Sequence, residues 1–327
     1  MEKFKLILAP MDGVLDVMMR EVLTSCNHYY YAESEFVRIV DRPVTAEQLY
    51  KKVPELKDHD GLTASGTPVY VQFLGQNRET IARSALLAVK MGARGIDLNF
   101  GCPAKKVNNS HGGAALLKEP ELIHDICSNV REMIPAEIPV TAKMRLGYEN
   151  TDNYLLLAEK IYSAGVNALC VHGRTKMDGY LPGTVKWELI GDIRRQCPVT
   201  VIANGDIFSK ESAQQCAQTT GCDHLMLARG ALYVPNLAAV INENAPPFGY
   251  GELAGVIEKF LDAGSRMKFP VNLFARLKQF LSYLRVHYTE LEQPFRNVCR
   301  CDNLDSAVAA LMTDLKRIEN EDKDKDK

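Results

Sequence analysis

Gly95-Ile96-Asp97-Leu98-Asn99-Phe100-Gly101-Cys102-Pro103-Ala104-Lys105-Lys106, followed by Gly112-Gly113-Ala114, decides how this chain is read. Ile96 and Leu98 alternate with Asp97 and Asn99, the period-two pattern of a short strand carrying polar side chains toward a loop mouth. Gly101-Cys102-Pro103 ends that strand. Pro103 lacks the N–H that a ladder needs, and Gly101 admits φ values that bulkier residues resist. Gly112 and Gly113 allow close backbone approach before the next helix. A thiol therefore stands at the C-terminal end of a strand, beside Lys105 and Lys106, placed to react or to give a proton.

The same strand–loop–helix unit recurs outward in both directions. Strand-like runs lie near 5–9, 30–37, 69–74, 95–100, 139–145, 167–172, 199–203 and 223–228. Amphipathic stretches such as 80–91, 121–133, 154–164 and 186–196 separate most of them. Eight such alternations predict an α/β fold, a parallel (β/α)8 TIM barrel over residues 1–245, with its active site at the C-terminal strand ends. Polar residues close nearly every strand, which favours a barrel over a doubly wound sheet. After Asn244-Ala-Pro-Pro-Phe-Gly the strand pattern stops. Leu253, Val256, Ile257, Phe260 and Leu261 follow helical spacing, as do Leu273, Leu277, Phe280, Leu281 and Leu284. Residues 250–318 are expected to form a small all-helical domain, and the charged run 319–327 a disordered tail.

Composition narrows the class. Of the 327 residues, 46% are hydrophobic and 24% charged, values of an ordinary globular chain. No run approaches the length of uncharged apolar sequence that spans a bilayer, and the opening Met1-Glu-Lys-Phe-Lys-Leu-Ile-Leu reads as strand rather than signal peptide. Nine scattered cysteines point to reduced thiols and a cytoplasmic protein. Cys299 and Cys301 lack a second pair, so no metal is expected. A net charge of −2 offers no general attraction for nucleic acid. Only 250–301, where eight lysines and arginines face five carboxylates, leans basic.

Asn99-Phe-Gly-Cys-Pro-Ala-Lys with Gly112-Gly113-Ala114 resembles the active-site motif of the tRNA-dihydrouridine synthases, and the likeness runs from Leu8 to about residue 300. Glu35-Phe-Val-Arg38 and Ala275-Arg-Leu-Lys-Gln-Phe-Leu-Ser-Tyr-Leu-Arg285 are most like that family's C-type subgroup. The resemblance implies a non-covalent FMN, NADPH as reductant, and tRNA as the partner, with a D-loop uridine, U16, as the base reduced. It implies hydride transfer to uracil C6 and a proton from Cys102 to C5.

The resemblance also distributes roles. Pro10, Met11 and Asp12 would pack on the flavin ring. Gln72 is an amide on an otherwise apolar strand and would meet the flavin's pyrimidine edge. Lys143, costly to desolvate without an anionic partner, would face the negative end of reduced flavin. His172 would pair with cofactor or uracil. Asn204, Gly205, Asp206, Ala228 and Arg229 would build the phosphate site, where the methyl of Ala228 demands a negative φ. On the substrate side stand Arg38, Asn99 on the uracil edge, Tyr180 stacking on a base, and Arg276, Lys278 and Tyr283 of the helical domain. Two rivals share parts of this set: a barrel flavoenzyme acting on a free pyrimidine, such as a dihydroorotate or dihydropyrimidine dehydrogenase, and a non-catalytic tRNA-binding protein.

Overall fold

The computed structural model describes residues 3–269 and 271–325. Within them, β1 (Lys5–Leu8), β2 (Tyr31–Glu33), β3 (Val37–Arg38), β4 (Val69–Leu74), β5 (Gly95–Phe100), β6 (Val140–Arg145), β7 (Ala168–His172), β8 (Thr200–Asn204) and β9 (His224–Leu227) form one parallel sheet. β1 pairs with both β2 and β9, and β2 with β4, so eight strands close into a barrel. β3 only extends the edge of β4, through Val37–Phe73 and Arg38–Leu74.

The expected single strand over 30–37 is thus two. Ser34 breaks it: its hydroxyl accepts from the Gln72 N–H at 3.1 Å and donates to Glu35 O at 2.9 Å. A side chain fills the ladder position, and Glu35 and Phe36 leave the sheet toward the barrel mouth.

Alternation along the strands sorts two apolar layers. Ile7, Tyr31, Cys170, Ile202 and Met226 pack inside the barrel. Leu6, Leu8, Val71, Phe73, Leu98 and Leu169 face outward into the larger core beneath the helices. The helix Pro120–Met133 shows how that core is covered. Pro120 starts it where a missing N–H costs nothing, and Ile123, Ile126, Cys127 and Val130 form its buried stripe. Arg20 and Glu55, both buried, tie the first helix to the segment before β4 with paired hydrogen bonds of 2.8 and 2.9 Å.

After the barrel come the helices Tyr250–Ser265, Leu273–Leu284, Glu292–Arg300 and Leu304–Lys325. The stripe expected on the second is present, with Leu277, Phe280, Leu281 and Leu284 fully buried. The last helix continues into the charged run, through Lys325. Pairs one turn apart, Arg317–Glu321 and Lys323–Glu319, favour helix over coil there. Residues 326–327 of that run lie outside the described residues.

Candidate active site

A cavity of about 530 Å³ opens at the C-terminal ends of the strands. Pro10, Met11 and Asp12 enter it after β1, Gln72 from β4, Asn99 and Cys102 at the end of β5, and Lys143 from β6. His172, Asn204, Gly205, Asp206, Ala228 and Arg229 come from the last three strand ends, with Tyr180 and Tyr283 at the rim. Arg38, Arg276 and Lys278 stand outside it.

The floor is a hydrogen-bond chain. Gln72 Nε2 donates to Asp97 Oδ2 at 2.8 Å and to Glu33 Oε2 at 3.1 Å, and Gln72 Oε1 accepts from Asn99 Nδ2 at 2.7 Å. Both Gln72 N–H groups are therefore engaged by protein, while Oε1 keeps a second lone pair. Asp97 does not reach a loop mouth as its strand pattern suggested. It lies fully buried in the barrel, accepting from Thr141 Oγ1 at 2.6 Å. Burial pushes its carboxyl up to about 6. Burial and the neighbouring Asp97 charge hold Glu33 well above the usual carboxylate range. Neither Glu33 nor Asp97 was anticipated as part of the site. The signal was available: both fall on the inward parity of their strands, two residues from Tyr31 and Asn99.

Asn99 continues this chain upward. Its Oδ1 accepts from the N–H groups of Gly101 and Cys102, each at 2.9 Å, which fixes the turn bearing the thiol. Gly113 closes the turn from behind. At φ +59° its Cα faces Cys102 so closely that a Cβ would stand 2.9 Å from Cys102 O. Burial raises the Cys102 thiol above its ordinary value, the Ala104 N–H opposes that, and Asp12, Arg145 and Arg38 supply the nearby charge. Lys105 and Lys106 stand exposed on the short helix Lys105–Asn108, outside the cavity lining. Arg38 reaches the same turn, donating to Ser110 Oγ.

From the adjacent strand β6, Lys143 Nζ donates to Asn204 Oδ1 at 2.9 Å, and Asn204 Nδ2 is anchored on Met226 O at 2.9 Å. Burial, then the charges of Arg145, Lys143, Arg174 and Arg229, hold His172 well below the usual imidazole range, so it is neutral. Asp206 spends its carboxylate on Arg174, at 2.9 and 2.6 Å, with Arg229 at 3.6 Å. Ala228 adopts φ −118°, the negative value its methyl requires. At the rim, Arg145 and Arg229 each stand 5.2 Å from the exposed Tyr180 ring, while Phe208, Tyr233 and Tyr283 form a row of aromatic contacts.

On the helical side, Lys278 lies 3.7 Å over the Phe274 ring. Arg276 turns the other way, to the loop after β1, where it meets Asp16 at 2.9 Å.

The donor set fits a planar heteroaromatic ring with an anionic tail: apolar Met11, Met226 and Ala228 for the ring, Lys143 for an electron-rich edge, and Arg229 for a phosphate. A parallel barrel whose mouth joins that set to a protonated thiol is a flavin-dependent oxidoreductase. The chain belongs to the dihydrouridine synthase family, whose model matches residues 7–319. It is 43% identical over 307 residues to the tRNA-dihydrouridine(16) synthase of Yersinia pestis, covering 94% of this chain and 98% of that one. It is 42% identical over 315 residues to the protein of that name from Escherichia coli K12, covering 96% and 100%. Among solved structures, a variant of NCR from Zymomonas mobilis shares the fold at TM-score 0.54 and 17% identity, covering 78% of this chain and 90% of that one.

Proposed function

We infer that the protein is an FMN-dependent tRNA-dihydrouridine synthase that reduces U16 of the tRNA D-loop to 5,6-dihydrouridine, with NADPH as electron source. The observation that carries this reading is the placement of Cys102. A protonated thiol, held by Asn99, faces a cavity that Lys143 enters from the neighbouring strand β6. A general acid must hold its proton until it acts, and a thiol raised by burial does so at neutral pH. The names of the relatives, tRNA-dihydrouridine(16) synthase, support the choice of base.

Lys143, Gln72, Asn204 and Arg229 would hold FMN, with Pro10, Met11 and Ala228 against its ring. When bound, FMN supplies the hydride that uracil C6 receives. Cys102 gives its Sγ proton to C5, and the N–H bonds to Asn99 keep the turn from drifting. Neutral His172 can donate to a carbonyl without bringing a charge that would repel Lys143. Tyr180, with Arg145 and Arg229 against its ring, offers a stacking face for a base lifted from the tRNA stack. Residues 1–245 would be the catalytic domain, and 250–318 would bind tRNA through Arg276, Lys278 and Tyr283. A tRNA-modifying enzyme would work in the cytoplasm; among the described residues no helix is long and apolar enough to cross a membrane.

Mapping dihydrouridine in tRNA tests this. A strain lacking the gene should lose the modification at position 16 alone, and expression of this chain should restore it. A colourless purified protein, or reduction of free uracil with tRNA untouched, would overturn the reading.

A further inference from the structure

We propose that Glu33 and Asp97 are positioning residues that fix which way the two amides of the cavity floor point, so that Gln72 meets a bound ring as acceptor and Asn99 meets one as donor. That role rests on the reading of the cavity as a flavin and uracil site. An amide can turn either end to a ligand, and a buried end without a partner is costly. Here the choice is forced from both sides. At the upper end Asn99 Oδ1 accepts the Gly101 and Cys102 N–H groups, each at 2.9 Å. A flipped Asn99 would set its own N–H groups against those two donors. Nδ2 must therefore face Gln72, whose Oε1 accepts from it at 2.7 Å. At the lower end Gln72 Nε2 needs acceptors for two protons, and it finds Asp97 Oδ2 at 2.8 Å and Glu33 Oε2 at 3.1 Å.

Two fully buried carboxyls are expensive, and apolar side chains of similar size would spare the barrel that cost. Neither carboxyl lines the cavity, whereas Gln72 and Asn99 both do. Asp97 is held in turn by Thr141 Oγ1 at 2.6 Å. Burial and the Asp97 charge keep a proton on Glu33. With that proton on Oε1, the oxygen buried without a partner, Oε2 remains an acceptor for Gln72. Among the described residues, one lone pair of Gln72 Oε1 and one N–H of Asn99 carry no other bond, and these are what the floor can offer a ligand. The pyrimidine edge of an oxidised flavin has a single donor, N3–H, between two carbonyls. A Gln72 that can only accept selects that N–H, and an Asn99 that can only donate selects a carbonyl of uracil. Carboxyls that never touch either ring thereby set which ring edge the cavity recognises.

The test compares Glu33→Met, which removes an acceptor, with Glu33→Gln, which keeps one, in the full-length protein. Two readings are taken: hydrogen exchange of the Gln72 side-chain amide without flavin, and affinity for FMN against 3-methyl-FMN, whose methyl replaces the N3 proton. Wild type should bind 3-methyl-FMN about tenfold more weakly than FMN, a loss of about 1.4 kcal/mol. Glu33→Met should speed exchange of the Gln72 amide by about tenfold. It should also bring the two flavin affinities within about threefold of each other. Glu33→Gln should return both readings to wild-type values. A folded Glu33→Met with native exchange and native discrimination would overturn the positioning role. So would a Glu33→Gln that behaved like Glu33→Met, because charge rather than an acceptor would then be what counts. Should Glu33→Met not fold, wild type still decides: equal affinity for the two flavins, or a Gln72 amide that exchanges like an exposed one, overturns the assignment. A wild-type protein that bound neither flavin would sink the functional reading instead, while exchange of the Gln72 amide would still show whether Glu33 holds it.

Discussion

Asn99 holds Cys102 by its main chain: Oδ1 accepts the Cys102 N–H at 2.9 Å, while Nδ2 donates to Gln72 Oε1 at 2.7 Å. The thiol itself makes no part of this scaffold. Cys102→Ala should therefore keep the turn, FMN and tRNA affinity, and NADPH oxidation. Dihydrouridine formation should fall by about 10²- to 10⁴-fold, the usual loss on removing a general acid. Asn99→Ala should cost activity by another route, by freeing the turn, and alkylation of Cys102 should speed up relative to the exposed Cys299. Loss of flavin in Cys102→Ala would make the residue a packing group and not an acid.

Lys143 brings its charge to the cavity with one fixed partner, Asn204 Oδ1 at 2.9 Å. In Lys143→Met that oxygen borders the cavity and can be met by water, so folding should suffer by no more than about 1 kcal/mol. Reduction of bound FMN by NADPH should slow by about 10²-fold, the scale of one lost electrostatic partner. Stopped-flow absorbance at the flavin band checks both. Wild-type reduction rates would place the electron-rich edge of the ring elsewhere.

How far these features could be read beforehand differs by their cause. Barrel, strand ends and the thiol turn follow from local rules, since alternation, Gly101, Pro103 and Gly113 act within a few residues of where they stand. The interior carboxylates were missed because a polar residue on a strand looks the same whether it points to a mouth or into a barrel. Only the closure of β2 on β4 brings Glu33 beside Gln72 and Asp97. The surroundings of Arg276 stayed hidden for a similar reason. Helical spacing put it on a border of the apolar stripe, but its partners Gly13 and Val14 are more than 260 residues away. Ser34, which splits the second strand, acts through a hydroxyl that β-propensity does not weigh.

Gly113 offers a test of the turn from its other side. At φ +59°, an added Cβ would lie 2.9 Å from Cys102 O, 3.0 Å from Cys102 Cβ and 3.0 Å from Val107 Cγ1. Backbone strain and overpacking act together, so Gly113→Ala should destabilise the protein by about 2 kcal/mol or more. The shift should also disturb the Ala114 N–H bond to Cys102 O at 3.1 Å, lowering dihydrouridine formation without lowering FMN affinity. Denaturant midpoints and flavin titration measure the two effects separately. A neutral Gly113→Ala would mean that the turn tolerates a displacement of Cys102.

Asp97 makes a prediction about pH. Its carboxyl is pushed up from 3.8 to about 6 by burial, against the bonds from Thr141 and Gln72 and the charge of Lys143. A raised folded pKa means that the native state holds the proton longer than the unfolded chain. The stabilising share of Asp97 is complete below 3.8 and is lost as pH rises through about 6. The span of about two pH units is worth roughly 3 kcal/mol. Asp97→Asn keeps the shape: the amide oxygen can accept from Gln72, and the amide nitrogen can donate to the Thr141 hydroxyl, whose proton is free to turn. The variant should therefore show a flatter stability profile between pH 4 and pH 6, and should gain on wild type as the pH approaches 7. Paired denaturation curves across that window decide it, because parallel profiles would mean that Asp97 ionises at its ordinary value despite its burial.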